Sequence, residues 1–303
     1  MQTLAVIDIG SNTLLVTVGR RQEDGQIRIL LDEAEVTRLG QELRDGGPLH
    51  PEAKQRALKA LARFKELALA KGSEQILAAG TAAFRRASDG PAFAREIQDK
   101  LGFPVRILQG EEEAHYSFAS AWHDFGRGRA SLGMIDIGGG STEFVFGKAG
   151  PRLSLPIGTV KLTEQFVSRH PIPDAEWNQV LTAIRALLRE KLDGIPLRPE
   201  AWAAVAATPA SLAALLLKLP SYDPEQVHGY RLQRENLAAL VEGLRGMSLA
   251  ERRAMPGMHP DRAELLPIGG AILLEAMRYL GMEEILVSDH GLRYGILFEA
   301  LEN

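Results

Sequence analysis

The 303-residue chain contains no cysteine. That excludes disulfides, thiolate metal ligands and a cysteine nucleophile, and it fits a reducing compartment, so a cytoplasmic location is expected. No stretch reaches the roughly 20 apolar residues that span a bilayer. The N-terminus also lacks the basic and apolar segments of a signal peptide, so no membrane role is expected. Positive charge is not in excess: 35 Lys and Arg face 39 Asp and Glu, a net −4. Nucleic acid is therefore not an expected partner, and a polyanion would need a local basic track. Arg20-Arg21, Arg85-Arg86 and Arg127 with Arg129 are candidates for one. Seven histidines are scattered along the chain, so a histidine-built metal site is not expected, and His123-Asp124 reads as a chance dipeptide. Trp122, Trp177 and Trp202 read as core residues. The apolar and charged fractions, 45% and 24%, are those of an ordinary globular protein long enough for two domains.

What is present is a phrase that occurs twice. Val6-Ile7-Asp8-Ile9-Gly10-Ser11-Asn12-Thr13 is echoed by Met134-Ile135-Asp136-Ile137-Gly138-Gly139-Gly140-Ser141-Thr142. Each copy is an apolar strand ending in Asp, then a Gly-bearing turn with hydroxyl residues, then a second strand-like run. A tight turn of this kind aims N–H groups and hydroxyls into one concavity, which suits a phosphate. Asp8 and Asp136 would repel phosphate directly, so a divalent cation or a positioned water is expected between them. Two such loops suggest two lobes closing on one phosphate-bearing substrate.

Between and after the loops, strands alternate with helices. Pro51–Ala70 carries one apolar stripe stopped by Gly72, and 74–79 and 105–108 read as strands. Later, 175–192, 234–244 and 265–280 read as amphipathic helices, and 284–288 as a last strand. The pattern predicts an α/β fold with a mixed sheet, duplicated.

Two further segments stand at strand ends, where open α/β sheets bind ligands. Gln109-Gly110-Glu111-Glu112-Glu113-Ala114 opens a helix; its acids suit the helix dipole, and one of them could take a proton from a water aimed at phosphorus. Gly80-Thr81-Ala82-Ala83-Phe84-Arg85-Arg86 carries a guanidinium able to grip phosphate.

Taken in order, the Asp8 and Asp136 loops, Gly80-Thr81…Arg85, Gly110-Glu-Glu-Glu-Ala114, Tyr222-Asp-Pro-Glu-Gln-Val-His-Gly229 and Val287-Ser-Asp-His-Gly-Leu-Arg-Tyr-Gly295 resemble the exopolyphosphatase/guanosine pentaphosphate phosphohydrolase family over essentially the whole chain. The resemblance implies two actin-like, ribonuclease H-like domains with a cleft. It implies Glu113 as catalytic base, and Mg²⁺ or another divalent cation held by Asp136 and Glu143, with Asp8 in the metal set. Ser11, Asn12, Thr13, Gly138, Gly139, Gly140, Ser141 and Thr142 would cradle phosphate, and Arg85 would bind the phosphate chain. No phosphoenzyme is implied, and a homodimer is compatible with the family. Ala206-Ala207-Thr208 stands where family members often carry Gly-Gly-Thr, which disfavours a bulky nucleotide ligand. The chain also stops where longer relatives continue into an HD-type helical domain.

The leading expectation is release of terminal phosphate from inorganic polyphosphate. Guanosine pentaphosphate is the alternative substrate. A kinase or actin-like ATPase, and a non-catalytic polyphosphate or alarmone sensor, are the readings of other classes. The expected domains are 1–124 with 291–303, and 125–290, with the terminal helix docking on the first.

Overall fold

The computed structural model describes residues 2–196 and 198–302. The chain opens with β1 (Thr3–Ile9), β2 (Thr13–Arg21), β3 (Ile27–Val36), α1 (Pro51–Ala70), β4 (Gln75–Gly80), α2 (Ala82–Arg86), α3 (Gly90–Leu101), β5 (Val105–Ile107) and α4 (Gly110–Phe125). It continues through β6 (Leu132–Ile137), β7 (Thr142–Val145), β8 (Arg152–Leu155), α5 (Thr159–Phe166), α6 (Asp174–Leu192), β9 (Ala201–Val205), α7 (Ala207–Leu216) and α8 (Pro224–Val227). It closes with β10 (Arg231–Gln233), α9 (Arg234–Gly246), α10 (Leu249–Arg253), α11 (Leu266–Leu280), β11 (Glu284–Val287) and α12 (Leu292–Glu302). Two compact units result: Met1–Ser120 with Leu292–Asn303, and Ala121–Gly291. The first boundary falls inside α4.

The sheets repeat one design. In unit 1 the order is β3-β2-β1-β4-β5, with β1–β3 antiparallel and β4 and β5 parallel to β1. In unit 2 the order β8-β7-β6-β9-β11 carries the same pattern, and β10 adds an antiparallel edge. The fold is the expected α/β class, two actin-like units of one topology. The central strands β1 and β6 are buried on both faces, so their sequences read as near-continuous apolar runs rather than alternation.

Local chemistry sets the helices. Pro51 occupies the first turn of α1, where its missing N–H costs nothing, and Gly72 at φ +77° turns the chain just past its end. Ala53, Ala57, Ala60, Leu61, Phe64 and Ala68 form its buried stripe; burying Phe64 alone contributes roughly 1.5–3 kcal/mol. In unit 2, α11 is buried along Leu266–Met277, the mark of a central helix. Helix α7 gives no 3.6-residue signal in the sequence, because the run 207–216 is apolar on nearly every side. Trp177 and Trp202 are buried as expected, while Trp122 is only half-buried, with Lys148 Nζ 4.1 Å from its ring centre.

The terminal helix α12 packs Leu297 and Leu301 against Leu4 and Val6 of β1. Arg293 donates to both Asp32 oxygens at 3.0 and 2.8 Å, and the Tyr294 hydroxyl donates to Asp32 Oδ2 at 2.9 Å. This two-pronged, largely buried pair fixes the helix on the β2–β3 ribbon. Among the described residues, no helix is long and apolar enough to cross a membrane.

Candidate functional site

In unit 1 the parallel strands end in step: Ile9 pairs with Gly80, and Gly80 with Ile107. The expected site residues follow these carboxyl ends. Asp8 is the penultimate residue of β1, Ser11 to Thr13 run from the turn after it into β2, Arg85 lies in α2 after β4, and Glu113 stands in the first turn of α4 after β5. Gly10 N–H donates to the Thr13 carbonyl at 3.2 Å, closing the turn. From the far side, Gly40 N–H donates to the Ser11 carbonyl at 2.7 Å, and the Thr37 and Arg38 N–H groups donate to Asn12 at 3.0 and 2.9 Å. With those carbonyls engaged, the turn can offer an anion its N–H groups and side chains.

Arg85 and Glu113, singled out separately in the sequence, form an ion pair, their side chains 20% and 12% exposed. Arg85 Nη1 also donates to the Leu108 carbonyl at 2.6 Å, so the guanidinium ties the end of β5 to the start of α4. The neighbouring acids have other work. Glu112 accepts from Gln109 N–H at 2.8 Å and pairs with Arg106. The Gln109 N–H, aided by Arg106, holds its carboxyl below the usual range. Glu111 is exposed. Of the three, only Glu113 meets Arg85. Arg85 sits on the short helix α2, just after the end of β4 as expected. The basic candidates Arg20, Arg21, Arg86 and Arg129 contact Thr3, the Leu301 carbonyl, Asp45 and the Phe125 carbonyl in turn.

Unit 2 repeats the turn. Gly138 N–H donates to the Ser141 carbonyl at 2.9 Å. The first turn of α5 grips it from behind: Thr159 N–H donates to Gly138 at 3.0 Å, and Val160 and Lys161 donate to Gly139 at 2.9 and 3.1 Å. The approach is so close that a Cβ on Gly158 would lie 2.4 Å from the Gly139 carbonyl carbon and oxygen. Thus in both units the chain returns after its third strand, at Leu39-Gly40 and Ile157-Gly158, to hold the loop. Sequence reading missed this device; its signal is an apolar–Gly pair following the third strand of each copy. Thr142 is fully buried and donates to the Ile157 carbonyl at 2.7 Å, which gives this member of the expected cradle a scaffolding contact.

Register separates the carboxylates. Asp136 faces Glu143 directly across β6–β7, whereas the equivalent partner of Asp8 is Leu15. Directly opposed side chains share a face with Cβ atoms about 5 Å apart. Glu143 is 3% exposed and accepts from Ser154 Oγ at 2.7 Å. An all-oxygen donor set of this kind fits a hard divalent ion such as Mg²⁺.

Two features lay outside the sequence reading. Ala206, at the junction of β9 and α7, holds φ +78° and ψ 177°, a region nearly reserved for glycine. Asp124, His228 and His290 converge in unit 2 as a group able to hold a metal ion, although histidines distant in sequence gave no such expectation. Burial would raise the Asp124 carboxyl, but hydrogen bonds from His123 and His290 and charge on the histidines hold it at about 2. Burial, with His290 beside it, lowers His228. Separately, a cavity of about 720 Å³ in unit 1 is lined by residues such as Leu69, Ile76, Phe103, Tyr116 and Ile296. It contains none of the expected site residues.

The sequence pattern of the Ppx/GppA phosphatase family matches residues 18–303. Exopolyphosphatase 2 of Mycobacterium tuberculosis is 30% identical over 97% of this chain and 97% of its own length. Among solved structures, the Aquifex aeolicus PPX-GPPA enzyme aligns with a TM-score of 0.84 at 28% identity, covering 98% of this chain and 99% of that one. An exopolyphosphatase from Cytophaga hutchinsonii has the same fold, with a TM-score of 0.91 at 24% identity over 99% and 98% of the two chains.

Proposed function

This chain belongs to the Ppx/GppA phosphatase family of phosphoanhydride hydrolases, and from that premise we propose that it releases terminal orthophosphate from inorganic polyphosphate. Water attacks the terminal phosphorus, the last P–O–P bond breaks, and the shortened chain leaves with the electron pair. Glu113 takes the proton from the attacking water. The observation that carries this reading is the Arg85–Glu113 pair at the joined ends of β1, β4 and β5. Its guanidinium fixes the position of the carboxylate.

The planar Arg85 guanidinium, held beside Glu113, would bind non-bridging oxygens of the phosphate chain. The turns Ser11–Thr13 and Gly139–Ser141 would supply N–H groups and hydroxyls to the substrate's non-bridging oxygens, with Gly138 closing the second turn. Asp136 and Glu143 would hold Mg²⁺, with Asp8 as a further carboxylate of the set. When bound, the ion offsets the charge of the phosphate chain. The Ala206-Ala207 step places methyl groups where a glycine pair would leave room, which favours polyphosphate over guanosine pentaphosphate. The name of the 30%-identical M. tuberculosis relative points the same way.

The test is orthophosphate release, with and without Mg²⁺, from long-chain polyphosphate and from guanosine pentaphosphate. Faster release from polyphosphate, dependent on the cation, is expected. Release from guanosine pentaphosphate alone would transfer the assignment to that substrate. Substrate binding without release from either would mean a sensor.

A further inference from the structure

Unit 2 assembles three side chains that the proposed hydrolysis does not use. Asp124 lies at the end of α4, His228 directly follows α8, and His290 sits in the turn after β11. His290 Nδ1 is 2.9 Å from Asp124 Oδ2, and His228 Nε2 is 3.8 Å from the same oxygen. One donor atom from each residue lies within 4.8 Å of the other two. Around a tetrahedral ion with bonds of about 2.1 Å, neighbouring donors stand about 3.4 Å apart. The observed spacings bracket that value, so small side-chain movements would close the set on an ion.

The backbone beneath the three is firmly held. Gly229 N–H donates to the Val287 carbonyl at 2.8 Å and Val287 N–H to Tyr230 at 2.9 Å, which fixes the turn carrying His228 against β11. Ser288 N–H donates to Ala204 at 2.8 Å, and Ser288 Oγ bridges the N–H and carbonyl of His290. Phe125 stacks on His228 at 5.0 Å between ring centres, and the two imidazoles lie 4.3 Å apart. A pair of closely apposed imidazoles beside one carboxylate is thus built from three separate segments on a rigid frame.

We propose that Asp124, His228 and His290 bind a divalent transition-metal ion of the Zn²⁺ type. Two imidazoles and one carboxylate are a borderline-soft set that suits Zn²⁺ or Co²⁺ and discriminates against Mg²⁺, leaving a fourth position for water. The site is distinct from the Asp136–Glu143 pair: β11 stands two strands from β6 in the sheet, about 10 Å away. Its place in the chain gives it a role. Asp124 lies three residues after the chain enters unit 2 at Ala121, and His290 one residue before it leaves at Gly291. An ion there ties the two ends of unit 2 together and raises its resistance to unfolding.

The test uses the full-length, metal-depleted protein titrated with Co²⁺, whose visible absorption reports coordination. One equivalent bound, displaced by Zn²⁺ but not by millimolar Mg²⁺, and a raised unfolding midpoint are expected. His290→Ala and His228→Asn, each checked for folding by circular dichroism, should weaken cobalt binding at least as much as the roughly 10–100-fold that loss of an outer-shell partner causes. Wild-type protein that binds no cobalt overturns the proposal without reference to any variant. Binding that persists unchanged in both variants overturns it equally.

Discussion

Gly158→Ala is the perturbation that most directly probes how unit 2 shapes its Gly138–Ser141 turn, the proposed phosphate cradle. The added Cβ would lie 2.4 Å from the carbonyl carbon and oxygen of Gly139 and 2.5 Å from the Gly140 nitrogen. Ordinary contact begins near 3.4 Å, so the methyl intrudes by about 1 Å, and it meets backbone rather than a side chain that could swing away. Gly158 itself has φ −147°, which alanine adopts freely, so the clash alone sets the cost. Overpacking of this size costs about 1–3 kcal/mol. The larger consequence is positional, because displacing a binding group by about 1 Å can lower turnover by about 10²-fold. The control is Gly40→Ala in unit 1, whose Cβ would approach the Ser11 Cβ at 3.1 Å, a shortfall of only about 0.3 Å. Orthophosphate release and thermal unfolding should show a severe loss for Gly158→Ala and a mild one for Gly40→Ala. Gly158→Ala activity within twofold of wild type, or a worse effect from Gly40→Ala, would refute the reasoning.

Ala206→Gly should stabilise the protein. Relief of a backbone conformation costing about 1–3 kcal/mol outweighs the roughly 0.4–1 kcal/mol of added unfolded-state freedom, so differential scanning calorimetry should find a higher Tm; a lower one contradicts the strain. Glu275 supplies a pH dependence. Burial would raise its carboxyl, but hydrogen bonds from Arg185 and Arg278 hold it below the usual value. A depressed native pKa adds stability above the unfolded value of about 4.3, and that stability is lost as pH falls through the native one. Glu275→Gln should therefore cost about 1–2 kcal/mol at neutral pH, less than a fully buried pair because both arginines are half exposed. The difference from wild type should shrink in acid, and urea unfolding that shows a constant gap from pH 7 to pH 3 would remove the ion pair from the account.

The duplicated Asp-Ile-Gly phrase announced both turns, because a strand running into a Gly-bearing, hydroxyl-rich turn is a local pattern. The order of strands around those turns follows from the same repeat. Other features could not be read locally. Glu113 and Arg85 are 28 residues apart, and their pairing depends on β4 and β5 ending in step. The return of Gly40 and Gly158 onto the loops depends on where a third strand ends. Asp8 and Asp136 look equivalent in sequence, yet only register reveals that one faces Leu15 and the other Glu143. His228 and His290 meet Asp124 only because β10 and β11 pair, and nothing in their spacing records that. Helix α7 is hidden by its uniform apolarity and α2 by its brevity.

The central claim is that Glu113 is the base, and the most direct measurement is the rate of orthophosphate release from polyphosphate by Glu113→Gln under saturating substrate. The amide keeps the shape and can still accept from Arg85, but it cannot take a proton. A fall in kcat of about 10²–10⁴-fold, with polyphosphate binding retained, is the result this account predicts. A variant that turns over at the wild-type rate would contradict it and move the base to another residue.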